Sequence, residues 1–238
     1  NLANVNTTGF KKAKIEFQDL LYQTKRAAGS ESGPGTQVPT SLQVGHGARP
    51  VSTAKIFTAG EIMSTGERLD LAIHGNGFFK VTLADGTNAF TRDGGFKLDS
   101  TGSIVTSDGL PVTSFAGVTI SPEATNVSIS QTGIVSVTQN GTTSTAGSLV
   151  LSRFANSAGL ENIGANLYRE TPASGTEQTG EPSNAGMGTV QQGYLELSNV
   201  KVVEEMVNLI KAQRAYEINS KAIQAADEMM SMSNRLRG

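Results

Sequence analysis

The sequence predicts a mainly β protein of the α+β class, in which an antiparallel β domain carries long N- and C-terminal coiled-coil helices. Three observations lead there. Between Leu69 and Phe154 apolar and polar residues alternate with a period of two, as half-buried strands require. The chain holds 27 glycines and no Trp, with abundant Ser and Thr, a composition suited to turn-rich β structure with polar outer faces. Finally, Val202, Leu209, Tyr216, Ile223 and Met230 recur every seventh residue in a stretch without proline or internal glycine, the mark of a helix that packs on another helix.

Residues 1–23 read as an N-terminal axial segment. Asn1 to Thr8 is polar and Asn-rich, and after Gly9 the spacing of Phe10, Ala13, Phe17, Leu20 and Leu21 suggests a short amphipathic helix reaching Tyr22 or Gln23, with extended chain as the alternative. Because the chain begins at Asn1 in a helix-like stretch, a further helical piece is expected ahead of it, as a partner for the C-terminal stripe. Residues 24–68 read as an extended arm or linker. Gly29-Ser30, Gly33-Pro34-Gly35 and Pro39 give it the composition of irregular chain, mobile in isolation.

Residues 69–197 read as a β-rich outer domain. Phe79, Val81 and Leu83 alternate with Lys80 and Thr82, and Val127 and Ile129 with Ser128 and Ser130. Turn signals fall at Asp85-Gly86, Asp93-Gly94, Asp108-Gly109 and Asn140-Gly141, the last placed as in a type I′ hairpin. A loose loop is expected over 171–188, before Val190 to Leu197 returns to strand-like alternation.

Residues 198–238 read as one helix, starting at a Ser198 or Asn199 cap. Glu204 and Glu205 near its start and Arg235, Arg237 and Gly238 at its end complement the macrodipole. Three residues after the last four stripe positions stand Ala212, Asn219, Ala226 and Ser233, so neighbouring backbones can approach while Asn219 pins the register. The expected assembly interface is Val202, Leu209, Ala212, Tyr216, Asn219, Ile223, Ala226 and Met230. An ordinary core helix is the bland reading. Val203, Met206, Val207 and Ile210 argue against it, because they widen the apolar arc of the first two turns beyond one partner helix.

A net charge of −2 offers no basic field for nucleic acid and no polybasic patch for anionic lipid. Without cysteine there is no disulfide, thiolate metal site or thiol nucleophile. No apolar run approaches bilayer-spanning length, and no leader-like start precedes a cleavage site, so neither membrane insertion nor a cleaved signal peptide is expected. His46 and His74 are the only histidines and no Gly-x-Ser-x-Gly elbow occurs, which leaves a serine nucleophile without its usual setting. The aspartates 85, 93, 99 and 108 form no calcium loop, and Gly75-Asn76-Gly77 opens a strand where a dinucleotide fingerprint opens a helix. No catalytic residue, metal or cofactor is expected.

Motifs at both ends carry a family likeness. The stretch Asn1-Leu2-Ala3-Asn4-Val5-Asn6-Thr7-Thr8-Gly9-Phe10-Lys11 resembles the N-terminal signature of the flagellar axial proteins of bacteria, the rod and hook family. Gly193 to Val200 and Gln213 to Lys221 resemble its C-terminal block, and Gly75-Asn76-Gly77-Phe78-Phe79 and Thr91-Arg92-Asp93-Gly94 its β domain. Asp19 to Gln23 with the arm after it resembles the distal-rod branch more than the hook branch, with proximal rod and hook as the alternatives.

The resemblance implies a structural subunit, exported by the flagellar type III apparatus without a cleaved signal and assembled helically into a hollow torque-bearing shaft across the periplasm. It implies copies of itself, the proximal rod, the hook and surrounding ring proteins as partners, and an arm that stiffens the shaft. A β-rich surface adhesin on a coiled-coil stalk is the remaining alternative from the residues alone.

Overall fold

The computed structural model describes residues 1–33, 35–121 and 123–237. Gly238, expected to end the long helix, lies outside them, as does Pro34 of the arm. The chain forms two compact units, Asn1–Lys11 with Thr58–Gly238, and Lys12–Phe57. Among the described residues it is mainly β with one α-helix, the C-terminal Val202–Arg237.

The larger unit is built from antiparallel ladders. Phe79–Thr82 pairs with Asn88–Thr91 in a four-stranded sheet completed by Leu167–Arg169 and Glu161–Gly164. The anticipated alternation is real: Phe79 and Val81 are fully buried while Lys80 and Thr82 are half-buried. Phe79 packs edge-on to Phe96, and Phe96 on Phe115, within a core that includes Leu71, Ile73, Val135, Leu149 and Leu151. Its neighbour Phe78 points the other way, as the strand pleat demands. It meets Phe154 and Tyr168 edge-on, and Phe90 packs on Phe154. Burial pushes the Tyr168 phenol up to about 12.

Asn126–Ile129, Ile134–Gln139 and Thr142–Ser148 form a meander. Its second turn has Asn140 at φ 51° and Gly141 at φ 78°, the two positive values a type I′ turn needs. A Cβ at Gly141 would meet no atom within 4 Å, so replacing it by alanine costs backbone strain alone. Gly141→Ala is expected to destabilise the domain by about 1 kcal/mol, read as a lowered urea midpoint; an unchanged midpoint would mean the turn is not under this constraint. Asp93-Gly94, by contrast, is no hairpin turn. Gly94 has an ordinary φ, and a Cβ there would run into the Leu71 carbonyl oxygen, so glycine is needed for a close backbone crossing.

Two further pairings bring the ends of this unit together. Leu71–His74 pairs with Thr189–Gln192, and Ile62–Ser64 with Tyr194–Glu196. The expected strand from Val190 to Leu197 is thus two strands, broken at Gly193 with φ 81°. The loop over 171–188 includes a strand of its own, Gln178–Gly180, paired with Leu151–Arg153, and buries Ser174 and Met187.

The long N-terminal helix anticipated from the sequence does not form among the described residues. Leu2–Asn4 is one 3-10 turn, and the segment assigned to an amphipathic helix is the strand Ala13–Asp19. Its residues alternate strictly, Ile15 and Phe17 against Lys14, Glu16 and Gln18, and this period of two prevails over the helical spacing of Phe10, Phe17 and Leu21. The arm is likewise ordered. Ala13–Asp19 pairs with Ala48–Lys55, Tyr22–Arg26 with Leu42–Gly45, and Glu31–Gly33 with Thr36–Gln37, giving a long antiparallel ribbon with bulges. Backbone ladder bonds need no apolar pattern, so a Gly- and Ser-rich sequence forms them without announcing it. The ribbon exposes Ile15, Phe17, Leu21, Tyr22, Leu42, Val44 and Val51. Two strands with both faces wet are marginal alone.

Candidate assembly surface

The segment that leads into the helix is fixed by a buried charge cluster. Glu196 ends the strand Tyr194–Glu196, with its side chain 1% exposed. Its Oε1 accepts from Lys11 Nζ at 2.5 Å and from the Gly60 N–H at 2.8 Å, and its Oε2 lies 3.4 Å from Arg92 Nη1. Lys11 Nζ also donates to the Thr58 carbonyl, and Arg92 to the carbonyls of Ile73 and Gly75. The guanidinium lies 5.2 Å from the Phe78 ring centroid, a cation–π contact that partly replaces lost hydration.

Backbone bonds close the same junction. The Gly9 N–H donates to the Glu196 carbonyl, the Thr8 hydroxyl to Asp93, and the Asn166 amide to the Thr8 carbonyl. Gly9 has φ 68°, and a Cβ there would sit 2.5 Å from the Asp93 nitrogen, so only glycine fits. Two cations and one anion share this space. Burial pulls the pKa of Lys11 and of Arg92 below their ordinary values, while Glu196 acts to raise both. Sequence reading did not single out Lys11, Arg92 or Glu196. The one hint was that each lies inside a family-like motif.

The helix begins later than its sequence suggests. Its first intrahelical bond runs from the Glu205 N–H to the Lys201 carbonyl, so neither Ser198 nor Asn199 caps it. Both are engaged elsewhere. The Asn199 amide donates to the carbonyl and hydroxyl of Thr58, and the Ser198 hydroxyl accepts from the Val200 N–H. Val200 and Ser198 are buried, and the exposed helix starts directly after this anchor.

From there 36 residues run on, about 54 Å at 1.5 Å per residue. The interface residues expected from the sequence lie along one stripe: Val202 is 37% exposed, Leu209 50%, Tyr216 77%, Ile223 64% and Met230 69%. Ala212 and Asn219 are exposed and Ala226 half-buried. Apolar side chains outside the heptad are equally uncovered, among them Val203, Ile218, Met229 and Met232. No helix among the described residues is long and apolar enough to cross a membrane. What remains is a helix whose apolar side chains its own chain leaves in water.

Residues 72–137 match the family model described as the flagellar hook protein FlgE/F/G D1 domain, and residues 191–236 the one described as the flagellar basal body rod FlgEFG protein C-terminal. The chain is 49% identical to the flagellar basal-body rod protein FlgG of Buchnera aphidicola subsp. Schizaphis graminum, over 99% of this chain and 91% of that protein. Caulobacter vibrioides supplies a discriminating pair. Identity is 46% to its FlgG, covering 100% of this chain and 91% of that one, against 36% to its FlgF, covering 96% and 85%. The chain belongs to the FlgG family of flagellar basal-body rod proteins. It is a structural subunit of the basal-body rod, and membership of the family implies assembly there with other flagellar axial proteins. The first family match includes Arg92 and the second Glu196 and nearly all of the helix, so the charge cluster ties the two matched regions to each other and to Lys11.

Proposed function

We propose that this chain polymerises helically with copies of itself into the distal rod, a hollow drive shaft that crosses the periplasm and carries torque from the motor towards the hook. Its axial neighbours are then proximal rod and hook proteins, and ring proteins surround it. The observation that carries this is the uncovered apolar surface along Val202–Arg237, with Val202, Leu209, Ala212, Tyr216, Asn219, Ile223, Ala226 and Met230 as its interface. Function on this reading is mechanical, and stiff contacts take the place of a reaction. Expressed in cells lacking their own FlgG, the chain should restore basal bodies with complete rods. Purified full-length chain that stays monomeric at high concentration with its helix folded would contradict self-assembly.

The ribbon within Lys12–Phe57 is proposed to bridge neighbouring subunits and stiffen the shaft. Its apolar side chains are uncovered on a two-stranded scaffold that gains most from a partner surface. Deleting residues 29–36 should give rods that bend or stop short in electron micrographs, whereas straight, full-length rods would remove the bridging role.

A further inference from the structure

Two Asn-Gly pairs occur in the chain, Asn76-Gly77 and Asn140-Gly141. An asparagine followed by glycine carries a latent reaction. The backbone nitrogen of the glycine can attack the side-chain carbonyl carbon of the asparagine, and the missing Cβ leaves that nitrogen uncrowded. The reaction proceeds only where the fold leaves the peptide unit between the two residues free to turn.

At the first pair that unit is held. The Asn76 carbonyl accepts from the Gly188 N–H at 2.6 Å, Gly77 is buried, and a Cβ on Gly77 would lie 3.2 Å from Leu151 Cδ1. The second pair is the tip of the hairpin formed by Ile134–Gln139 and Thr142–Ser148. Both of its residues are exposed, and a Cβ on Gly141 would meet nothing within 4 Å. Among the described residues no hydrogen bond engages the Asn140 amide or the Gly141 N–H, and the last rung below the tip is Gln139 opposite Thr142. Asparagines followed by serine are tied down. Ser220, after Asn219, spends its N–H on the helix ladder, and the Asn156 amide donates to the Ala173 carbonyl at 3.1 Å.

We propose that Asn140-Gly141 is a self-modification site, at which the folded chain converts Asn140 to isoaspartate and aspartate ahead of its other asparagines. The Gly141 nitrogen gives up its proton and bonds to Asn140 Cγ. The bond from Cγ to the side-chain nitrogen breaks, and ammonia leaves with that proton. Water then opens the five-membered imide at either carbonyl. One opening gives aspartate, the other isoaspartate, in which the main chain runs through Cβ and Cγ. Water is the only co-reactant, and either product adds a negative charge to the tip.

The two products treat the hairpin differently. Asp-Gly suits a type I′ turn as Asn-Gly does. Isoaspartate instead adds a methylene to the main chain of a two-residue turn whose geometry sets the register. Val135 and Val137 of the first strand belong to the core, so loosening at the tip reaches inward. This inference does not draw on the rod reading, and either can fail without the other.

The test holds the purified full-length chain, folded, in mildly alkaline buffer and maps its peptides over time by mass spectrometry. The peptide with residue 140 is expected to gain the mass of NH exchanged for O, in two chromatographic forms, one of them a substrate for isoaspartyl methyl transfer. Asn76 should lag by about tenfold or more, since a local opening cost of about 1.4 kcal/mol suffices for that. In concentrated urea the two pairs should react at similar rates, because the fold and not the dipeptide separates them. Equal rates in the folded chain, or Asn76 ahead of Asn140, overturn the proposal. Aged chain enriched in isoaspartate should show a lower urea midpoint than Asn140→Asp, which carries the charge without the extra methylene. Equal midpoints overturn the consequence drawn for the hairpin.

Discussion

Glu196→Ala is expected to destabilise the β domain by about 3–5 kcal/mol, the usual cost of removing one partner from a buried ion pair. The substitution leaves Lys11 and Arg92, 0% and 4% exposed, facing each other without an anion. It also strips the Gly60 N–H of its acceptor. The Lys11 and Arg92 bonds to the carbonyls of Thr58, Ile73 and Gly75 survive, but they do not neutralise charge. Glu196→Gln should lose less, since an amide oxygen still accepts from Gly60 and Lys11.

The pH dependence has a definite sign. Burial already holds the Lys11 ammonium below its ordinary 10.5, so the unfolded chain binds this proton more tightly than the folded one. Stability contributed by this group therefore rises as pH climbs towards 10.5. Without Glu196 the rise steepens, because the carboxylate no longer favours the charged lysine. Urea unfolding followed by near-ultraviolet circular dichroism at several pH values reads both effects. A variant within 1 kcal/mol of the parent, on a scale where surface changes cost about 0.5 kcal/mol, would show that the cluster does not hold the junction.

What sequence disclosed, and what it withheld, follows from the range of the interactions. Phe79, Lys80, Val81 and Thr82 revealed their strand because one face is buried and the other wetter, and Asn140-Gly141 revealed its turn because two adjacent positive φ values admit few residues. Both are local constraints. Lys11, Arg92 and Glu196 meet across most of the chain, and no spacing encodes that meeting. Ser198 and Asn199 have ideal cap chemistry, yet Asn199 is tied to Thr58, a partner invisible to a reading of neighbours.

The segment ahead of the arm hid its strand for a different reason. Nothing in its own unit buries either side of the Ala13–Asp19 ribbon, so its alternation of Ile15 and Phe17 with charged residues competed with a helical spacing that was equally unconstrained. The heptad stripe was legible as a pattern. Its purpose was not, because nothing among the described residues covers it.

Ile223→Asp, and equally Leu209→Asp, is expected to abolish rod assembly while leaving the single chain folded. In the isolated chain Ile223 is 64% exposed and Leu209 50%, so an aspartate there remains hydrated and costs only its weaker helix propensity, up to about 0.7 kcal/mol. In the shaft the same carboxylate would lie in an apolar seam without a partner, at several kcal/mol per copy. That penalty recurs at every subunit added, so elongation stops rather than slows. Gln224→Asp, one residue along but on the polar side, should assemble normally. Cells carrying each variant would be scored for motility and for rods in isolated basal bodies, and the purified chains for an unchanged near-ultraviolet spectrum and melting temperature. Full-length rods built from Ile223→Asp chains would mean that the stripe faces water in the shaft, and the contact holding the helices together would then have to be sought on another side.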